Sequence, residues 1–122
     1  MKIKIAALLA FFLAAFPLAA HDVVKGTNGG RVVDAGAHHV ELVVKGTAVT
    51  VFVTDSADKP VVVNGFKGLA ILTVGGKAQR IALAPQEGTR LTGIAPVALP
   101  ADVKGVVQLT TSDGKTAQGR FQ

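Results

Sequence analysis

Short runs of β-branched residues, each ended by a turn-forming residue, limit this chain to a β fold. From Arg31 onward, Val, Ile and Thr come in runs of a few residues, and Gly, Pro or Asp interrupts them about every eight to twelve residues. That spacing is typical of strands in a sandwich or a barrel. The same region contains no apolar pattern with the period of an amphipathic helix. The sequence therefore predicts an all-β domain.

The turn-forming residues divide the chain into strands. Lys45-Gly46, Gly75-Gly76 and Asp113-Gly114 stand between apolar runs, where a two-residue hairpin turn requires positive φ. Prolines exclude central pairing and predict a long loop over 94–103. We predict strands at 31–34, 38–45, 47–54, 60–64, 68–74, 77–84, 89–94, 105–111 and 115–121.

The number of strands and the length of the chain indicate a small immunoglobulin-like β-sandwich, and a small β-barrel is the alternative. The chain has no Cys and no Trp, so the hallmarks of antibody domains are absent. Its core must come from Val, Leu, Ile and Ala, because Phe52, Phe66 and Phe121 are the only aromatic residues after position 20. Such a core offers no evident cofactor cavity.

The first twenty residues predict a secretory signal peptide. Lys2 and Lys4 precede an apolar run of about twelve residues, and small residues follow it. That run is shorter than the roughly 20 residues needed to span a bilayer. We expect cleavage after Ala19 or Ala20, no integral membrane segment after cleavage, and a periplasmic or secreted protein. The predicted organisation is a signal peptide at 1–20, a flexible N-terminal segment at 21–30 and the sandwich domain at 31–122.

The charge of the chain does not indicate nucleic acid as a partner. Removing Lys2 and Lys4 lowers the formal net charge from +5 to +3. The remaining lysines are scattered along the sequence at turns and strand ends, which is typical of solvated residues that protect sheet edges. An anionic membrane surface would require clustered cations, and the spacing in the sequence predicts no cluster.

The composition also argues against enzymatic chemistry. Without Cys, disulfides, thiolate metal sites and cysteine nucleophiles are excluded. Ser56 and Ser112 lie in turn-like segments that lack a nucleophile elbow. The glycine-rich stretch at 26–30 precedes a strand rather than a helix, so it does not match a nucleotide-binding loop. We predict that the protein is not an enzyme.

All three histidines fall between positions 21 and 39. Imidazole and carboxylate suit Cu(II) and Zn(II) when thiolate is absent. In the predicted strand His38–Val44, alternation places His38 with the core residues and directs His39 and Glu41 outward, roughly 6.5–7 Å apart. A third ligand must then converge on them, and His21 could supply its imidazole and, if cleavage exposes it, its α-amine. We therefore predict one divalent copper or zinc ion held by ligands from His21, His38, His39 and Glu41.

Each of these residues also has an ordinary structural interpretation. His38 fits a half-covered residue at the rim of the core, and His39 with Glu41 fits a solvated strand face. Asp34 fits a side chain that caps the following turn. The alternative function is a non-enzymatic structural or protein-docking module without metal. Its binding surface would include some of Val43, Val61 and Val63, which are too many β-branched residues for every one to face inward.

Two segments carry a family resemblance. The stretch Asn28–Leu42, with its Gly-Gly-Arg opening and its x-Glu-Leu strand, resembles the small N-terminal β-module of periplasmic adaptor (membrane-fusion) subunits of heavy-metal efflux pumps. The stretch Val51–Val61, with its Lys-Pro-Val ending, is similar to a hairpin of the same modules. The resemblance covers about positions 28–62, and Asn28 stands where the module has His before Gly-Gly.

The resemblance implies a stand-alone exported module associated with heavy-metal handling or efflux. It also implies a pump component or another periplasmic protein as the partner. The coiled-coil hairpin and the lipoyl halves of an adaptor have no counterpart in this sequence.

Overall fold

The computed structural model describes residues 24–122, so the predicted signal peptide and His21 lie outside the described residues. Residues 24–122 form nine β-strands and contain no helix with the length and apolar character that a membrane crossing requires. The strands are β1 (Val24–Lys25), β2 (Arg31–Ala35), β3 (His38–Lys45), β4 (Ala48–Thr54), β5 (Lys67–Val74), β6 (Lys77–Gln86), β7 (Arg90–Ile94), β8 (Lys104–Thr110) and β9 (Thr116–Phe121).

The strands form one antiparallel sheet in the order β1-β2-β3-β4-β7-β6-β5-β8-β9, curled into a half-barrel. The prediction of an all-β fold is confirmed. Two separate sheets were expected, but β6 joins the two halves of this one. Its residues 77–83 pair with β5, and its residues 84–86 pair with β7. A strand of ten residues is long enough to serve both neighbours.

The antiparallel order gives the half-barrel two distinct ends. The β3–β4 turn, the β5–β6 turn and the β7–β8 loop lie at one end, which we call the lower end. The β2–β3 turn, the β4–β5 connection, the β6–β7 turn and the β8–β9 loop lie at the upper end. Strand β1 runs antiparallel to β2, so Val24 is the end of β1 that faces the upper end.

The curl of the sheet brings β9 against β2, although these two strands do not pair. Gly119 permits this approach, because a Cβ atom there would lie 2.8 Å from Val33 Cγ2 and 2.9 Å from Val40 Cγ2. The place where β9 packs on β2 is called the seam below. The seam encloses the apolar core without closing the barrel by hydrogen bonds.

Arg31 of β2 contacts two other parts of the half-barrel, Phe121 of β9 and Val103 of the β7–β8 loop. Its guanidinium carbon lies 5.4 Å from the ring centroid of Phe121, and its Nη2 donates a hydrogen bond to the backbone carbonyl of Val103. Burial lowers the pKa of Arg31, and the nearby charge of Asp102 opposes that shift. Because arginine remains charged in any case, the ring and the carbonyl interact with a cation.

The core is almost entirely aliphatic, as predicted. Its largest fully buried side chains include Phe121, Leu72, Ile81, Leu91 and Leu109. Phe66 also belongs to the core, whereas Phe52 is only half-buried and lines a groove on the opposite face of the sheet.

The three predicted hairpin pairings are confirmed, but only Gly75-Gly76 forms the turn at the predicted positions. Lys45 already pairs with Ala48, so the first turn is Gly46-Thr47. Gly46 and Gly75-Gly76 adopt positive φ in two-residue hairpin turns. The prediction of such a turn at Asp113-Gly114 was wrong. Thr111 donates its N–H to the carbonyl of Lys115, which leaves a three-residue loop ending on Gly114 at φ 88°. Three-residue hairpins commonly end on a left-handed residue of this kind.

The predicted strand at 60–64 is absent from the described fold. Only Pro60 forms an isolated bridge, with Thr54, and the chain then crosses the upper end. Val63 donates its N–H to the carbonyl of Gly88 at 2.8 Å, and its side chain is fully buried. Val63 and part of Val61 therefore fill the core without joining the sheet, whereas Val62 is exposed. Strand β1 was not predicted, because two residues give no readable alternation.

Replacing Gly119 by Val tests the close packing at the seam. The added side chain overlaps Val33 and Val40, so we expect the free energy of unfolding to fall by about 2 kcal/mol. Gln118→Val, at the exposed neighbouring position, is the matched control. The measurement is urea denaturation of both variants and the parent. Equal midpoints for the two variants would contradict the close approach of β9 to β2.

Candidate functional site

A groove of about 460 Å³ lies on the face of β2, β3 and β4 that is turned away from the core. The N-terminal segment forms one side of it, and the β4–β5 connection forms the other. Its lining residues are Val24, Lys25, Gly26, Thr27, Asn28, Val32, Glu41, Phe52, Val53, Thr54, Asp58, Pro60 and Thr89. The groove thus combines an aromatic ring, aliphatic side chains, a lysine and two carboxylates.

Glu41 lies in this groove with only 6% of its surface exposed. Its Oε2 accepts hydrogen bonds from the backbone N–H of Asn28 at 2.9 Å and of Gly30 at 2.7 Å. Its Oε1 accepts a bond from the Asn28 side-chain amide at 3.0 Å. Hydrogen bonds to a carboxylate are stronger than neutral ones. They compensate a charge that would otherwise be costly to bury.

Gly26 completes this enclosure. A Cβ atom at position 26 would lie 2.1 Å from the Glu41 carboxyl carbon, so only glycine lets the backbone come so close. Residues 24–30, predicted to be flexible, form β1 and a loop wrapped around Glu41. Glu41 does lie on the face opposite the core, as the alternation indicated, but the loop covers it. Its carboxylate is occupied by backbone and side-chain donors.

His39 connects two carboxylates at the upper end. Its Nε2 lies 3.2 Å from Asp34 Oδ1, and its Nδ1 lies 2.9 Å from Asp58 Oδ1. The side chains of Asp34 and Asp58 are 83% and 80% exposed, and that of His39 is 28% exposed. The ring is therefore held between an aspartate of the adjacent strand and one of the β4–β5 connection, with solvent access to both pairs.

Asp55 fixes the position of Asp58. Its Oδ1 accepts the N–H of Ala57 at 2.8 Å and of Lys59 at 3.0 Å, and its carbonyl accepts the N–H of Asp58 at 2.9 Å. Asp58 adopts φ 63°, which Asp and Asn tolerate better than most residues. This tight turn directs the Asp58 carboxylate toward His39.

The same turn is sensitive to pH. The backbone N–H groups of Lys59 and Ala57 hold the pKa of the Asp55 carboxyl below its ordinary value. Because the pKa is lower in the folded chain, the stabilisation is present above the ordinary pKa of Asp. It is lost as the pH falls through the lowered value.

The structure separates the predicted ligands. His38 lies at the rim of the core, with its ring centroid 6.1 Å from that of Phe66 in an edge-to-face arrangement. His39 contacts two aspartates, Glu41 serves the N-terminal loop, and His21 lies outside the described residues. Within positions 24–122, no group of three or more His, Asp or Glu residues is arranged to hold a metal ion.

Sequence reasoning missed Asp58 and the loop donors of Glu41. Asp58 is nineteen residues from His39, so no local period indicates the contact. Asp34 was interpreted as a turn cap, although a two-residue hairpin turn brings it opposite His39. The predicted strands 31–34 and 38–45 left three residues between them and would have placed Asp34 opposite His38, so this pairing did not follow from the predicted bounds.

The surface suggested for docking also changes. Val63 is fully buried and Val61 packs against the core, so of the three valines only Val43 is half-buried on the outer face. The exposed large apolar residues in the described part of the chain are Val24, Val62, Ile94 and Val97.

Comparisons of this chain with protein-family models, with curated proteins and with solved structures find no match. The assignment of a function therefore depends on the geometry of the site and on the chemistry of its residues.

Replacing Glu41 by Gln tests its role in holding the loop. The amide nitrogen of Gln cannot accept the bonds that the carboxylate accepts, and one or more buried donors lose a partner. We expect the free energy of unfolding to fall by about 2 kcal/mol. The backbone amides of Asn28 and Gly30 should also exchange faster with solvent in hydrogen-exchange NMR. Unchanged exchange at both amides would contradict the proposed anchoring.

Proposed function

We propose that this protein is an exported, non-enzymatic module of heavy-metal handling that binds one copper or zinc ion. It would work in the periplasm or outside the cell. For the finer class of the fold we propose an immunoglobulin-like module, because the two halves of the sheet joined by β6 face each other across one apolar core.

The observation that carries this proposal is the position of His39 between two carboxylates. A metal-binding histidine usually donates its second ring N–H to a carboxylate, which fixes the tautomer and orients the ring. Asp58, 2.9 Å from Nδ1, fits that orienting role. With Nδ1 protonated, Nε2 presents its lone pair on the side of Asp34, where a metal would be bound.

The remaining ligands would come from Asp34 and from the N-terminus. Asp34 offers an exposed carboxylate beside Nε2. Val24 is the end of β1 that faces the upper end, and His21 precedes it by three positions in the sequence. Imidazole and carboxylate together suit Cu(II) or Zn(II) in a protein without thiolates. Glu41 supports the site by holding the loop, and His38 is a separate residue of the core rim.

The resemblance of positions 28–62 to the N-terminal module of heavy-metal efflux adaptors supports the same function. It suggests a metal-efflux pump component as the partner. Asn28, which replaces the His of that module, donates two hydrogen bonds to Glu41, so here this position has a structural task.

The proposal is tested by native mass spectrometry and calorimetric titration of the exported protein with Cu(II) and Zn(II). We expect one bound ion per chain. His39→Ala should abolish binding, and Asp58→Asn should weaken it about 10- to 100-fold, as expected for an orienting carboxylate. His38→Ala is the matched control, because it removes the neighbouring imidazole from the other face. His39→Ala protein that binds metal as tightly as the parent would refute the site.

A second candidate function is protein docking in the groove, favoured by its size and by the exposed Val24 and Pro60 on its two sides. Thr54→Arg would place a bulky cation in the groove. Thr73→Arg would place the same cation at an exposed position of β5, outside the groove. With a purified metal-efflux adaptor subunit as the probe, docking predicts that only Thr54→Arg weakens binding. Equal affinities for both variants would exclude this use of the groove.

A further inference from the structure

The lower end of the half-barrel carries an exposed apolar loop. From Ile94 to Ala101 the sequence Ile-Ala-Pro-Val-Ala-Leu-Pro-Ala contains no charged or polar side chain. Ile94 is 72% exposed and Val97 is 40% exposed, and the two prolines, Ala98 and Ala101 are exposed as well. Only Ala95 and Leu99 turn inward. We call residues 94–101 the apolar loop.

The apolar loop has a defined position on the β3–β4 turn. Ala95 donates its N–H to the carbonyl of Thr47 at 2.8 Å, and Leu99 donates to the carbonyl of Gly46 at 2.9 Å. Its small apolar side chains are thereby held at the tip of the molecule. Exposed apolar residues that lie together are a feature of surfaces that bind partners or membranes.

Exposed cations surround the apolar loop. Lys45 precedes the turn on which the loop rests, and Lys104 follows the loop directly. Thr73 and Val74 pair with Lys104 and Lys77 respectively, so Lys77 lies one strand further along the same end. Arg120 lies near the end of β9, paired with Val106. The topology therefore places Lys45, Lys77, Lys104 and Arg120 at the lower end, whereas Lys59, Lys67 and Lys115 lie at the upper end.

The acidic residues lie mostly at the other end. Asp34, Asp55, Asp58, Glu87 and Asp113 belong to the turns and strand ends of the upper end. Among residues 24–122, Asp102 is the one acidic residue in the lower loops, and its charge acts on Arg31. The lower end thus combines an apolar tip with exposed cations and a single acidic residue in its loops.

We propose that the lower end binds the surface of an anionic phospholipid bilayer. The apolar loop would enter the interfacial region, and the lysines around it would contact lipid phosphates. Apolar insertion combined with attraction to anionic lipid is how peripheral elements bind membranes. Lysines on separate turns provide charge without fixed hydrogen-bond geometry. That property suits a fluid array of phosphates better than the rigid surface of an acidic protein.

Vesicle sedimentation tests the proposal, with the exported protein and vesicles of phosphatidylcholine alone or mixed with phosphatidylglycerol. A chelator in every buffer separates the result from metal binding. We expect binding to the mixed vesicles only, with affinity that falls as salt is added. The variant Lys45→Gln/Lys77→Gln/Lys104→Gln should bind about a hundredfold more weakly, since each lysine near an anionic surface contributes about 1 kcal/mol.

The matched control is Lys59→Gln/Lys67→Gln/Lys115→Gln, which removes the same charge from the upper end. Strand β4, of seven residues, spans about 23 Å, and this length exceeds the Debye length of about 10 Å at 0.1 M salt. The control should therefore bind nearly as well as the parent. Equal loss in the two variants would show attraction by net charge only and would overturn the proposal.

A fluorescent reporter tests insertion independently. The chain has no Trp and no Tyr, so Val97→Trp provides a single emitting residue in the apolar loop. Val62→Trp provides one at the exposed upper end. With mixed vesicles we expect a blue shift of emission for Val97→Trp only. A shift at position 62 alone, or no binding of the folded parent to any vesicle, would overturn the proposal.

Discussion

The groove depends on the hydrogen bonds that the buried carboxylate of Glu41 accepts. No cation pairs with it within the described chain, so its charge is compensated by N–H donors from Asn28 and Gly30. The dependence is mutual, because the glycine-rich loop has little apolar surface of its own to bury. The Glu41 side chain thus orders the loop and places β1 beside β2. The ordered segment forms one side of the groove.

The sequence predicted the fold where alternation is strong and failed where a contact is distant. Most strands follow from β-branched runs and glycine turns, because both are local signals. Val63 misled the prediction, since a buried valine in a crossing segment looks the same as a valine in a strand. The outward direction of Glu41 could be derived from the period of a strand. Its burial could not, because the covering loop has no periodic pattern.

The contacts of His39 were harder to predict. The contact with Asp34 depends on a two-residue turn at Gly36-Ala37, whereas the predicted strands 31–34 and 38–45 left three residues between them. The contact with Asp58 depends on a turn fixed by Asp55 in a connection of irregular shape. The presence of Lys45 and Lys104 at one end of the molecule could be seen only once the strand order was known. Lys45 and Lys104 are far apart in the sequence, and only the topology sends both to one end.

The seam between β2 and β9 also affects how copies of this protein meet in solution. An open sheet has two edges, and a flat, unprotected edge can pair with another chain and start aggregation. Here the curl turns the edge strand β9 toward β2, with Gly119 against the backbone oxygen of Asp34. Strand β1 pairs only with Arg31 and Val32 of β2, so β9 and the rest of β2 shield each other. The sheet is not closed into a barrel, but its own curvature protects it from edge-to-edge association.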